Sequence, residues 1–224
     1  MLVIVLVFAA LDATLWIAQF AARGAGTVSA RADTAAVTSA PDGVAVPTVI
    51  TPLAIPTVGA SASADASAPL AKSAPVRLEI PSIGVDTALM ELGLMADGTL
   101  EVPPDGSIAG WFTGAPTPGS LGPAVIAGHV DWYGPGVFYD LHAVAVGDTI
   151  TVLRADGIAA VFEVTDVGKY AKNAFPTDEV YGPVNFAALR VITCGGTFNH
   201  ATGHYDDNIV VFAKLVSSGP ASPR

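Results

Sequence analysis

The chain has 224 residues, a formal net charge of −10 and a single cysteine, Cys194. At about 100–200 residues per domain, that length suits one domain with appendages. The acidic balance argues against a nucleic-acid partner and against a polybasic membrane patch, and one cysteine excludes an internal disulfide framework.

Residues 1–23 read as a transmembrane anchor or signal-like segment. Leu2 to Ala22 is nearly all apolar, and about 20 such residues span a bilayer as a helix. Asp12 interrupts the run, at a cost of about 2.5–3.5 kcal/mol in mid-membrane. Val28-Ser29-Ala30 offers small residues for processing of a cleaved signal peptide. The apolar run exceeds the about 7–15 residues of a signal-peptide core, so an uncleaved anchor is the expectation. Residues 24–75 are rich in Ala, Ser, Thr and Pro, with few aromatic or charged residues. Such a segment buries too little surface to offset its ordering entropy, and reads as a disordered, extended linker. Anchor, spacer and domain in that order describe an enzyme or receptor held off a membrane surface.

Residues 76–216 read as one β-rich domain, followed by a tail over 217–224. Val76 to Ile80 alternates with period two and ends at Pro81, as a strand does. Ile83 to Leu92 continues as short extended pieces. Ala124 to Ala127 is a buried-strand run that ends at Gly128-His129. Asp148 to Leu153 and Ala159 to Val167 alternate and are joined by Asp156-Gly157, a strong hairpin signal. Short turns or helices are expected near Val137 to His142 and Thr177 to Tyr181. The fold class is all-β, a closed or nearly closed barrel of about seven or eight strands.

Leu189 to Phe212 carries the chemistry. A β-branched run delivers Cys194 to Gly195-Gly196, and a second run, Asn208 to Phe212, follows a polar loop. A thiol at the mouth of a sheet, where a strand ends and glycines let the backbone turn and a substrate approach, is a candidate nucleophile. The bland alternative is a small, buried, inert residue. A free thiol in an exported chain asks for a reason, which favours the first reading. His129, at the end of another short strand, is a candidate acid/base partner, because imidazole and thiol exchange a proton near neutral pH. Its alternative is a satisfied structural histidine. His200 and His204 suggest a Cys-His-His zinc site with Cys194, but their loop gives the spacing no fixed geometry. His142 reads as structural, and the scattered acids lack the spacing of a calcium loop. No cofactor and no metal are expected.

Three motifs together resemble a sortase, specifically the class F type: Thr193-Cys194-Gly195-Gly196, Ala127-Gly128-His129-Val130-Asp131, and Gly203-His204-Tyr205 followed by Asp207-Asn208-Ile209-Val210-Val211. The likeness covers about Val76 to Val216. It implies an eight-stranded barrel of cysteine transpeptidases on the bacterial cell membrane, with the catalytic domain extracytoplasmic. Such enzymes cut an LPxTG-type sorting signal between Thr and Gly and pass the acyl group to an amine of the peptidoglycan precursor. By this resemblance Cys194 matches the nucleophile that forms a thioacyl intermediate, and His129 the acid/base.

The resemblance also implies an arginine directly after Gly-His-Tyr, and Asp206 stands there. An acid in that place repels an oxyanion and raises a thiol's pKa. Arg190 lies four residues before Cys194. Even spacing in a strand sets both on one face, so Arg190 is one substitute, although a solvated strand charge is the favoured reading of it. Asn208 is another possible donor. Asp206 also motivates an alternative function, a catalytically impaired sortase-fold protein that binds peptide or wall material. A Cys-His L,D-transpeptidase is a third reading, and it fits Cys194-Gly195-Gly196-Thr197 poorly.

Overall fold

Period-two alternation of Val, Ile, Leu and Ala builds a closed barrel in the order β1-β2-β3-β4-β7-β8-β6-β5. The structure is a computed structural model and describes residues 68–221. The expected anchor over 1–23 and most of the expected linker lie outside the described residues. No helix among the described residues is long and apolar enough to cross a membrane. The strands are β1 (Pro75–Ile80), β2 (Val85–Leu92), β3 (Ala109–Phe112), β4 (Gly122–Gly128), β5 (Thr149–Arg154), β6 (Ile158–Ala171), β7 (Ala187–Asn199) and β8 (His204–Pro220). One short helix, α1 (Thr177–Tyr181), and 3-10 turns at Pro81–Ile83, Leu141–Ala143 and Lys172–Ala174 complete the described elements.

Two apolar layers follow from the alternation. Leu78, Ile126, Ile150, Phe162, Leu189 and Val211 point into the barrel with their neighbours and fill it. On the outer face of β4, β7 and β8, Val125, Ile192, Cys194, Val210 and Phe212 pack with Leu92, Leu100 and Val180 of α1. The outer layer is the reason β7 is buried on both faces from Ala187 to Gly195. Such a strand reads as a continuous apolar run, as parallel-paired strands do, and β7 runs parallel to β4.

The barrel, the Asp156-Gly157 hairpin and the helix at Thr177–Tyr181 match the sequence expectation. Three boundaries differ. β3 was not expected, because Ala-Gly-Trp-Phe shows no alternation. It is specified by tertiary packing, since a side chain on Gly110 would overlap Leu92. The chain is docked well before residue 76: Leu70 N–H donates to the Gly119 carbonyl, at 2.7 Å, and the buried Arg154 guanidinium donates to the carbonyls of Ala71 and Pro118, each at 2.6 Å. The expected tail does not begin at 217 either. β8 continues to Pro220 because β6 is long enough to pair with it there, Ile158 opposite Pro220.

Candidate active site

Cys194 lies within β7, directly opposite Asn208 of β8. Both are buried, with Cys194 3% and Asn208 1% exposed. The strand does not end at the glycines. It continues to Asn199 through an irregularity between Gly195 and Phe198. Gly196 has φ 75°, and a side chain there would run into the Asp207 carboxylate, while a Cβ on Gly195 would come within 2.8 Å of Ile209. The two glycines therefore allow a bulge and a close fit to β8, where the sequence suggested a turn and room for substrate. The expected polar loop shrinks to a turn at 200–203, and His204 opens β8.

His129 follows β4. The parallel register pairs Ala127 with Ile192, so two residues further on His129 is level with Cys194 on the neighbouring strand. The intervening residues are tied by Thr193 Oγ1, which donates to the Gly128 carbonyl at 2.9 Å. That bond gives the buried Thr193 a positioning role between the two chemical groups. The His129 ring is 4% exposed and stacks at a tilt on Trp132, centroids 4.8 Å apart. Its Nε2 is 2.7 Å from the Pro103 carbonyl oxygen. A carbonyl only accepts, so the proton sits on Nε2 and leaves Nδ1 as the basic nitrogen. Among the described residues no hydrogen bond joins His129 to Cys194. Such bonds often form only when substrate is bound.

The sulfur has another neighbour that the sequence did not single out. Lys172, in the 3-10 turn after β6, directs Nζ to Cys194 Sγ at 3.5 Å. Burial pushes the Cys194 thiol up, the Lys172 ammonium pulls it partly back, and the Asp131 carboxylate adds to the upward push. Asp131 is itself held by Tyr205, whose hydroxyl donates to Oδ2 at 2.7 Å. Burial and that carboxylate push the Tyr205 phenol up to about 12. No sequence pattern marks Lys172, which lies 22 residues from Cys194. It reaches the thiol because Tyr170 of β6 pairs with Asn208, which pairs with Cys194.

Arg190 does share the outer face with Cys194, but it is not a solvated charge. It is 5% exposed, lies over the Phe212 ring at 4.5 Å and donates through Nη1 to the Leu189 carbonyl at 3.1 Å. The outer apolar layer covers it, so the side chain is desolvated where the sequence suggested water. Asp206 is exposed. It shares with Lys172, Asn173, His204, Tyr205 and Asp207 the wall of a cleft of about 340 Å³. Asn208 Oδ1 is buried without a hydrogen-bond partner.

His200 is exposed at the turn, edge-on to Phe198, and His204 begins β8 opposite Asn199. Neither is brought to the sulfur as a ligand set. Among the described residues no three His, Cys, Asp or Glu side chains gather to hold a metal ion. His142 is exposed in the turn at Leu141–Ala143.

The sortase domain family model matches residues 78–216. No curated protein sequence matches the chain significantly. Among solved structures, the SrtA sortase from Actinomyces oris is similar at 22% identity and a TM-score of 0.52, over 71% of this chain and 93% of that one. Sortase C-1 from the same organism matches at 21% identity, TM-score 0.48, over 64% and 75% of the two chains. A Clostridium perfringens sortase D5 transpeptidase matches at 23% identity, TM-score 0.47, over 64% and 79%. The family match spans nearly the whole barrel, from β1 into β8, and includes both Cys194 and His129. The chain belongs to the sortase family of cysteine transpeptidases.

Proposed function

We propose that the protein is a class F sortase that cleaves an LPxTG-type sorting signal and joins the cut protein to an amine of the peptidoglycan precursor. Cys194 is its nucleophile and His129 its acid/base. The observation that carries this reading is the β4–β7 register, which sets His129 level with Cys194 and is pinned by Thr193 on Gly128. His129 Nδ1 takes the Cys194 thiol proton, and the resulting thiolate attacks the threonine carbonyl, forming a C–S bond and an oxyanion. The oxyanion collapses, the C–N bond breaks, and His129 protonates the leaving amine. An acceptor amine then attacks the thioester and gives its proton to His129, and the thiolate leaves. The class F assignment rests on the Gly-His-Tyr and Asp-Asn-Ile-Val-Val motifs. Anchorage by residues 1–23, with the barrel on the extracytoplasmic side of a bacterial membrane, rests on the apolar run and the spacer that follows it.

The test is intact mass of the full-length chain, in mild detergent, mixed with an LPxTG-type peptide. The wild type gains the acyl mass and loses it when a small amine is added. Cys194→Ala gains none, and His129→Ala fails to exchange. If no acyl adduct forms with any of several sorting motifs, the substrate class is wrong. An adduct that forms only in Asp206→Arg favours the impaired, peptide-binding reading.

A further inference from the structure

We infer that Lys172 is a further catalytic residue of this site, the cation that holds the Cys194 thiolate. The inference rests on the thiolate chemistry proposed above. A thiolate is the reactive form of cysteine, and it forms near neutral pH only where positive charge compensates it. Cys194 needs such a partner more than an exposed thiol does, because it is buried on the outer apolar layer and faces the Asp131 carboxylate. Three elements bring charged or titratable groups to the sulfur. The segment after β4 brings His129 and Asp131, β8 brings Tyr205 with the neutral Asn208, and the turn after β6 brings Lys172. Of these, Lys172 is the one basic amine, and its ammonium donates directly to the sulfur.

Two neighbouring cations among the described residues are committed elsewhere. Arg190, four residues back along β7, is stacked on Phe212, and Lys169 leans on Asp207 at 3.8 Å. Asp206 offers only negative charge at the rim of the cleft. Lys172 reaches across β8 because β6, β8 and β7 lie side by side in the row Tyr170, Asn208, Cys194. Two strand spacings are about 10 Å, and a lysine stem projecting from beyond the end of β6 covers that gap over Asn208. The ammonium therefore enters the site from the opposite side to His129. The imidazole stays free to carry protons, and no proton leaves Lys172 in any step.

The test is the pH dependence of Cys194 alkylation by iodoacetamide in the full-length chain, followed by intact mass, for wild type, Lys172→Met, Lys172→Gln, Lys172→Arg and Lys169→Met. Both neutral replacements move the reactivity midpoint to more alkaline pH by about one unit or more, so alkylation near neutral pH slows about tenfold. Lys172→Arg stays within about threefold of wild type. Lys169→Met removes the same charge without touching the sulfur, and it follows the wild-type profile. The inference is overturned if Lys172→Met and Lys172→Gln keep the wild-type midpoint, or if Lys169→Met shifts it as far as they do. Alkylation uses no sorting signal, so a Lys172-dependent midpoint in a chain that no peptide acylates would uphold the ion pair while the substrate reading fails.

Discussion

Replacing Arg190 by methionine separates the two roles open to that side chain, an oxyanion donor at the reaction centre or a buried support of the outer layer. The strand geometry sets the distance. Four residues at about 3.3 Å each put the Cα atoms of Arg190 and Cys194 about 13 Å apart. The guanidinium does not lean toward the sulfur but lies over Phe212, the residue directly opposite Arg190 in the β7–β8 register. It is therefore too far away to donate to an oxyanion on a carbonyl bound at Cys194. Its energetic role is also small. Burial pushes its pKa down to about 10, which at about 1.4 kcal/mol per pH unit disfavours the charged form by roughly 3–4 kcal/mol. Against this stand a cation–π contact of about 0.5–2 kcal/mol and a bond to the Leu189 carbonyl, with Nε left unpartnered. Arg190→Met keeps the volume and removes the buried charge, so the melting temperature should hold or rise slightly. The single-turnover rate of Cys194 acylation should stay within about threefold of wild type. Loss of an oxyanion donor instead costs about 10²–10³ in rate, so a fall of that size in a fully folded variant would refute the geometry argued here.

Other perturbations test the scaffold. Arg154→Met strips the buried guanidinium from the carbonyls of Ala71 and Pro118 and from Asp156, and charge-assisted bonds of this kind suggest a loss of about 2–4 kcal/mol in denaturant unfolding. Arg154 holds the Asp156 carboxyl below its ordinary range. That part of the stabilisation is complete above the unfolded carboxylate pKa of about 3.9 and disappears as pH falls through the lower folded value, so the gap between wild type and variant should narrow in strong acid. Gly196→Ala forces a side chain into φ 75° and against Asp207, and a cost of about 1–2 kcal/mol is expected, read as a lower melting temperature. Tyr205→Phe removes the donor to Asp131. It should cost about 1–2 kcal/mol and raise amide exchange in the segment from His129 to Tyr133, which that bond ties to β8.

The parts of the fold legible in the sequence are those in which one strand carries its own signal. β1, β5 and β6 alternate in plain sight, and Asp156-Gly157 announces their hairpin. β4 and β7 are visible as apolar runs, broken in β7 by Arg190, because the outer layer buries their second face. What could not be read depends on which strand lies beside which. β3 has four residues and no period, and it is a strand because it pairs with β2 and β4, with Leu92 packed over Gly110. The true end of β8 is set by the length of β6, not by anything in Ser217 to Pro220. The candidate site divides in the same way. Cys194 and His129 each sit in a readable motif, while their mutual level comes from a parallel register that neither motif contains.

In β8 the place where the family resemblance implies an arginine holds Asp206, and the lysine further along, Lys214, pairs with Glu163 at 3.3 Å. Electrostatic compensation of a thiolate depends on distance to the sulfur and on burial, and it is indifferent to which strand supplies the cation. A barrel in which β6, β8 and β7 are adjacent offers two routes to Cys194 from that side, one from β8 itself and one from over the end of β6. Even spacing along β7 makes Arg190 one possible substitute, beside the favoured reading of it as a solvated charge, because spacing within one strand is all that a linear sequence displays. The row Tyr170, Asn208, Cys194 crosses three strands, and it brings Lys172 to 3.5 Å while Arg190 stays with Phe212. A charge at Asp206 is then free to be acidic, since the demand for a cation at the sulfur is met from the neighbouring strand. The double substitution Lys172→Met with Asp206→Arg states this as an outcome: the β8 arginine should return the alkylation midpoint toward the wild-type value, which no purely structural role for Lys172 would allow.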